Sequence, residues 1–190
     1  MSRYETALAD VVLPAWLPFE LPAWLPFGGG EITALPLSDR RTGGFAHLSY
    51  RRALEAAALY SARLPTREEV FELHSIGLRL RPYVLPAALC LPPGTDESTL
   101  RAREMASEAW ARLHDFAVLG MLDALGWAGD RPVSGAGKHW IQPCQVGRGR
   151  LCGWWQPGTV APIQAGTDER GTHDDGHHDY ATTTLLVRPA

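Results

Sequence analysis

The chain has 190 residues, of which 45% are hydrophobic, and a formal net charge of −3. A chain of this length fits one domain with a sizeable buried core. Lysine occurs once, at Lys138, and the basic residues form no stripe. The composition therefore argues against nucleic-acid binding, which depends on neutralising many phosphates.

The N-terminal segment repeats the heptad Leu-Pro-Ala-Trp-Leu-Pro-Phe, at residues 13–19 and 21–27. Proline at this frequency interrupts a helix, so the apolar run from Val11 to Phe27 is not predicted to span a membrane. Residues Met1–Asp10 contain acids and lack the apolar core of a signal peptide. We therefore expect a cytoplasmic or virion-associated protein with no membrane span and with an N-terminal arm over residues 1–45.

Two roles for this arm remain open. The arm can pack on the core of its own chain, or residues 11–27 can dock onto a partner protein or a second copy through their Trp and Phe side chains. Three glycines follow at residues 28–30, and a short strand is predicted over Glu31–Leu37.

Two helices are predicted after a polar turn. Ser49 is a suitable N-cap for the first helix, roughly residues 50–62. Thr66 and Glu69 form the spacing of a capping box, so a second helix begins there and stops at Gly77. A half-buried strand is expected to follow this helix, because apolar and polar residues alternate there.

A third and longer helix is predicted to open at Asp96 or Ser98 and to run to about Leu125, since apolar residues recur at spacings of three and four. His114 and Asp115 are neighbours in it and so point to different faces of the helix. We interpret them, like the lone His74 of the second helix, as structural residues.

The C-terminal part has the pattern of short strands joined by turns, with a polar loop of about 14 residues at 166–179. The predicted strands cover residues 138–143, 150–155, 160–164 and 180–188. The sequence thus predicts an α+β protein in which an N-terminal helical layer packs on a C-terminal antiparallel sheet, within one domain at residues 46–190.

The same C-terminal part carries side chains of catalytic type among aromatic ones, which is the composition of a pocket. We predict that His178 is a general base and that Asp179 orients it or binds substrate. The other predicted members of this polar cluster are His139, His173 and Tyr180. The predicted substrate-binding residues are Lys138, Trp154 and Trp155.

Two other chemistries are weaker. Residues 173–179 hold six side chains of metal-ligand type, but Gly176 argues against the helix that would align His173 with His177, so no metal site is predicted and the cofactor is left unassigned. Cys144 ends a strand, whereas thiol nucleophiles usually begin a helix. Cys144 and Cys152 can pair across neighbouring strands, although two reduced thiols are favoured.

Several short motifs, taken together, resemble a family of largely uncharacterised bacterial and phage proteins over about Ala46–Arg188. They are Leu-Pro-Thr at a helix start, then Gly-Lys, Gly-Trp and Pro-Ile-Gln, and a terminal His…Asp-Tyr before the last strand. Where that family has Asp-Tyr-Ser-His-Gly, this chain has Asp-Tyr-Ala-Thr-Thr at residues 179–183. A second resemblance, to C-type-lectin-like modules related to the formylglycine-generating enzyme, implies an alternative fold.

The first resemblance implies a hydrolase-like protein of bacterial or phage origin. Combined with the predicted His and Asp cluster, it leads us to expect acid–base chemistry on cell-wall material, either peptidoglycan or a glycan-peptide. The alternative, from a different class of function, is a non-catalytic binding or virion-associated module that docks a partner through its Pro/Trp arm.

Overall fold

The computed structural model describes residues 19–80, 109, 112–113, 115–134, 137–144, 148–153, 155, 162, 164–165, 172–174 and 182–190. These residues form helices and several small sheets, which confirms the predicted α+β class. Among them, no helix is both long enough and apolar enough to cross a lipid bilayer.

Among the described residues, three helices lie in the middle of the chain: α1 at Tyr50–Leu59, α2 at Arg67–Ile76 and α3 over residues 115–124. Both predicted N-caps are confirmed. Ser49 accepts a hydrogen bond from the Arg52 amide, and Thr66 forms the complete capping box with Glu69. These caps satisfy amide groups that have no partner within the helix, which fixes where α1 and α2 begin.

The main sheet lies in the C-terminal half and has the strand order β10-β8-β7-β11, with β9 paired to β8. Its strands are β7 (Lys138–Ile141), β8 (Arg148–Gly153), β9 (Gln164–Ala165), β10 (Thr172–Asp174) and β11 (Thr182–Thr183). The β7–β8 pair is antiparallel, as predicted, but β11 runs parallel to β7.

The described residues also form three smaller sheets. Their strands are β1 (Phe19–Glu20) with β4 (Ser38–Asp39), β5 (Leu78–Arg79) with β6 (Val133–Ser134), and β2 (Trp24–Phe27) with β3 (Gly30–Thr33) and β12 (Val187–Pro189). In the last of these, β3 is the central strand, so the sheet joins residues from the predicted arm to the end of the chain.

The predicted layering was therefore wrong in detail. Strands precede, separate and follow the helices, and the predicted strand 180–188 divides between two sheets. The division occurs because Thr184 O and Leu186 O accept hydrogen bonds from Leu37 N and Thr33 N, which draws the chain away from β7 after Thr183. The predicted loop 166–179 was also wrong at Thr172–Asp174, which pairs with β8.

The second heptad of the arm packs on its own chain. Leu21 and Phe27 are buried, and the Arg188 guanidinium lies 4.2 Å from the centre of the Trp24 ring. This cation–π contact and the β2–β3 pairing hold the segment against the protein. Residues 13–18 of the first heptad lie outside the described residues.

The largest core cluster lies between α1 and the main sheet. Trp140 is fully buried there, its ring centre lies 5.4 Å from that of Tyr50, and its indole N–H donates to Leu48 O at 2.7 Å. Gly149 on β8 sits directly beneath these two rings, and a Cβ at this position would contact Tyr50 and come within 2.7 Å of Trp140. The close packing of α1 on the sheet thus requires a residue without a side chain at position 149.

Substituting Gly149 by Ala is expected to lower the free energy of unfolding by about 1–3 kcal/mol, the usual cost of overpacking a core. Gly120 provides the matched control, because a Cβ there would meet nothing within 4 Å and Ala is favoured inside a helix. Gly120→Ala should therefore stabilise by about 0.5–1 kcal/mol. Urea denaturation measures both changes; a neutral Gly149→Ala would contradict the described packing.

Candidate functional site

Side chains of β7 alternate between two faces of the main sheet. One face contains Trp140 and the position of Lys138, and it packs on α1. We call it the Trp140 face. His139 and Ile141 belong to the other, the His139 face, together with Cys152, which is the cross-strand partner of His139. This alternation decides which of the predicted site residues share a face.

His139 is buried, with 2% of its surface exposed, and is held by β11. Its Nδ1 lies 2.8 Å from Thr183 Oγ1, and that hydroxyl also donates to Lys138 O at 3.2 Å. The contact follows from the parallel pairing of β11 with β7, which places Thr183 beside His139 on the same face. A two-residue strand thus orients the imidazole.

These two hydrogen bonds define the tautomer of His139. Thr183 has one hydroxyl proton, and the Lys138 carbonyl oxygen only accepts. Both bonds form when the hydroxyl donates to Lys138 O and accepts from an Nδ1–H group of His139. The other ring nitrogen, Nε2, then carries a lone pair, and it is buried with no hydrogen-bond partner among the described residues.

Burial lowers the pKa of His139 to about 4, since a charged imidazolium would lose its hydration there. The ring is therefore neutral at physiological pH. A neutral imidazole with one fixed nitrogen and one unpaired nitrogen is the form that accepts a proton in acid–base catalysis.

His173 and Lys138 do not join His139. His173 is the register partner of Gly149, and its ring packs edge-on against Trp140 at 6.2 Å between ring centres, so it lies on the Trp140 face. Lys138 alternates with His139 along β7 and is also buried. The expectation that these three side chains share one hollow was wrong, because strand alternation separates neighbours that the sequence places side by side.

Trp155 lies on the His139 face but packs inside the protein. It is 5% exposed and belongs to a cluster with Val70, Ile141 and Cys152. The His74 ring from α2 stacks on its indole at 3.8 Å between centres and 6° between planes. The described surroundings of Trp155 are therefore core side chains. The remaining predicted site residues, Trp154, His178, Asp179 and Tyr180, lie outside the described residues.

The structure also contains a His–Asp pair that the sequence patterns did not reveal. His47 Nε2 lies 3.3 Å from Asp115 Oδ2, and His47 Nδ1 lies 2.8 Å from Thr182 O. The two residues are 68 positions apart, so no local spacing connects them. One signal was present: Asp115 shares the buried face of α3 with Val118 and Leu122, and a carboxylate on an apolar stripe needs a partner.

A groove of about 320 Å³ opens elsewhere, beside the turn after β7. Cys144 is half-buried in it and donates through its thiol to Ile141 O. Cys144 and Cys152 are both free, and burial raises the pKa of the Cys152 thiol to about 12. The described lining of the groove contains no His that would activate a thiol: Tyr50, Arg63, Thr66, Gln142, Pro143 and Cys144.

Within the described part of the chain, no three His, Cys, Asp or Glu side chains converge in a way that would hold a metal ion. Comparison with known proteins adds no assignment, since no family model, curated protein or solved structure matches the chain. The geometry around His139 is therefore the basis for a functional proposal.

The buried His139 predicts a loss of stability in acid. The unfolded chain binds a proton near pH 6.5, whereas folded His139 binds it only near pH 4, so unfolding becomes more favourable as the pH falls between these values. Between pH 7 and pH 4, the free energy of unfolding should fall by about 3 kcal/mol more in the wild type than in His139→Asn.

Asn is the informative substitution because its amide keeps a donor for Thr183 but does not titrate. Urea denaturation across the pH range gives the difference between the two proteins. Parallel pH profiles for wild type and His139→Asn would show that His139 is not buried in the neutral form.

Proposed function

We propose that this protein is a hydrolase-like enzyme in which His139 acts as the general base. The observation that supports the proposal is the unpaired, buried Nε2 of His139, whose lone pair follows from the hydrogen bonds of Thr183. Buried polar atoms of native proteins are nearly always paired, so an unpaired one is a candidate functional atom or a position for bound water.

In the proposed mechanism, a water molecule donates a hydrogen bond to His139 Nε2. When the water attacks the substrate, Nε2 accepts its proton, and Nδ1–H remains bonded to Thr183 Oγ1. The substrate bond to the leaving group then breaks, and Nε2 returns the proton to the leaving group, so His139 ends neutral. Thr183 takes the position of the group that orients the base in a catalytic triad, although a hydroxyl cannot offset the positive charge as a carboxylate does. Because His139 is buried away from water, a nearby negative charge would raise its basicity strongly.

The sequence pattern predicts His178 as the general base, with Asp179 as its orienter or a substrate-binding residue, and both lie outside the described residues. In the present proposal Asp179 supplies the negative charge, and His178 and Tyr180 supply further acid–base groups. The proposed substrate class is cell-wall material, which rests on the sequence resemblance and not on the described geometry. A docking role for the N-terminal arm would have to rest on residues 11–18, because Trp24 and Phe27 pack on their own chain.

The test is hydrolysis of purified peptidoglycan, measured as release of soluble fragments. His139→Asn should reduce the rate about 100-fold or more, the usual contribution of a general base, because Asn keeps the donor to Thr183 but has no group at the Nε2 position. Thr183→Val should also reduce the rate, since it removes the hydroxyl that orients the ring, while Thr183→Ser should retain most of it.

Circular dichroism confirms that each variant is folded before the rates are compared. A His139→Asn variant as active as the wild type would refute the assignment of the base. If the wild type released no fragments from peptidoglycan, the substrate class would be wrong.

A further inference from the structure

We propose that His47 and Asp115 are positioning residues that hold β11, and through it Thr183, in register with His139. This inference rests on the proposed function only in its effect on catalysis, because the positioning itself concerns the folded protein. The His47 side chain lies at the outer edge of β11, where it binds the Thr182 carbonyl group.

Strand β11 has two residues and lies at the end of the main sheet, with β7 on one side. Such a short pairing is weak by itself. On the other side, His47 Nδ1 binds Thr182 O at 2.8 Å, in the place where a neighbouring strand would supply an amide N–H. Two residues further along, Thr184 O accepts a hydrogen bond from Leu37 N. The carbonyl groups on both sides of Thr183 are thus hydrogen-bonded, which fixes the outer edge of β11.

The direction of these hydrogen bonds follows from elementary donor and acceptor rules. The Thr182 carbonyl only accepts, so Nδ1 of His47 carries a proton. A hydrogen bond between His47 Nε2 and Asp115 Oδ2 then requires a second proton, located between these two atoms. That proton is either on a carboxyl group that donates to a neutral imidazole or on an imidazolium that donates to a carboxylate; in both forms the pair has no net charge.

The surroundings of Asp115 favour the neutral form. Its side chain is fully buried, and Oδ1 has no hydrogen-bond partner among the described residues, so a carboxylate there would be poorly solvated. Burial accordingly raises the pKa of Asp115, although hydrogen bonds from His47 and the Phe45 amide act in the opposite direction. The resulting chain of donors runs from Phe45 N–H to Asp115, to His47 and to Thr182 O.

The backbone near His47 allows this series of hydrogen bonds to form. Asp115 Oδ2 accepts from Phe45 N at 3.0 Å, and a Cβ on Gly44 would lie only 2.9 Å from the same oxygen. A glycine at this position lets the carboxyl group of α3 reach the backbone of the loop. The peptide group whose oxygen is bound by His47 is the one that precedes Thr183, so a single peptide unit separates the pair from the hydroxyl that orients His139.

Two substitutions of His47 separate positioning from general stability. In His47→Asn the amide nitrogen is as many bonds from Cα as Nδ1, so the donor to Thr182 O is retained and the contact with Asp115 is lost. In His47→Gln the amide corresponds to Nε2, so the contact with Asp115 is retained and the donor to Thr182 O is lost. Asp115→Asn has nearly the same shape as the wild type. In the wild type, Oδ2 contacts both Phe45 N–H and His47 Nε2; an amide oxygen at this position could only accept and an amide nitrogen could only donate, so one of the two hydrogen bonds is lost.

The primary measurement is the ¹⁵N resonance of His139 Nδ1 in protein labelled at histidine, because this resonance reports the tautomer and the hydrogen bond to Thr183. We expect it to move in His47→Gln, which loses the donor to Thr182 O, and in Asp115→Asn, where the His47 imidazole can shift its proton to Nε2 and so lose the same donor. It should stay in place in His47→Asn, because an amide nitrogen keeps its protons without a second partner. A purely structural role would lower the stability of all three variants and leave the His139 resonance unchanged.

The second measurement is peptidoglycan hydrolysis, where kcat should fall about 10- to 100-fold in His47→Gln with little change in KM. If the wild type and every variant are inactive, the proposed function fails, and the resonance alone decides the positioning role. Equal movement of the resonance in His47→Asn and His47→Gln, or no movement in either, overturns the role of His47. An Asp115→Asn spectrum identical to that of the wild type removes Asp115 from the assignment.

Discussion

The pairing of β7 with β8 on one edge and β11 on the other determines where the described polar groups of the site lie. Antiparallel pairing with β8 sets Trp140 above Gly149 and so attaches α1 to one face of the sheet. Parallel pairing with β11 sets Thr183 against His139 on the opposite face. A slip of β7 by one residue against both neighbours would exchange its two faces, placing an imidazole under α1 and an indole beside Thr183.

This arrangement concentrates buried polar side chains around β11. Lys138, His139, Asp115 and Thr182 to Thr184 are all buried there. Burial of polar groups is costly unless their hydrogen bonds are made, yet Asp115 Oδ1, His139 Nε2 and Thr184 Oγ1 have no hydrogen-bond partner among the described residues. A fold that needed only stability would fill these positions with apolar residues. The local density of buried polar groups is therefore the physical reason for proposing a site at this edge of the main sheet.

Local features of the fold were predictable from the sequence because local interactions create them. Ser49, Thr66 and Glu69 cap helices through hydrogen bonds within three residues, and both helix starts were predicted correctly. The β7–β8 hairpin follows from two apolar, alternating segments that are close in the chain. Long-range pairings were not predictable in this way: nothing near Thr182 indicates that it pairs with Lys138, or that its carbonyl group binds His47.

The candidate site shows the same limit. The type and position of His139 mark it as a candidate from the sequence alone, but nothing marks its partner Thr183, since threonine in a C-terminal strand is common and carries no distinguishing spacing. His139 and His173 were grouped because both lie among aromatic residues, and only the register of β10 shows that they face apart. The sequence places Asp115 beside His114, whereas its spatial partner His47 comes from the segment that precedes α1.

The central position of β3 has a consequence for the order of events during synthesis. Its hairpin with β2 can close as soon as residue 33 leaves the ribosome, but its other partner is β12, and the Arg188–Glu31 ion pair spans 157 positions. Until translation reaches that point, one side of β3 presents unpaired amide and carbonyl groups, which invites pairing with other nascent chains. The emerging polypeptide thus has a period of vulnerability to aggregation that ends only when its last strand arrives.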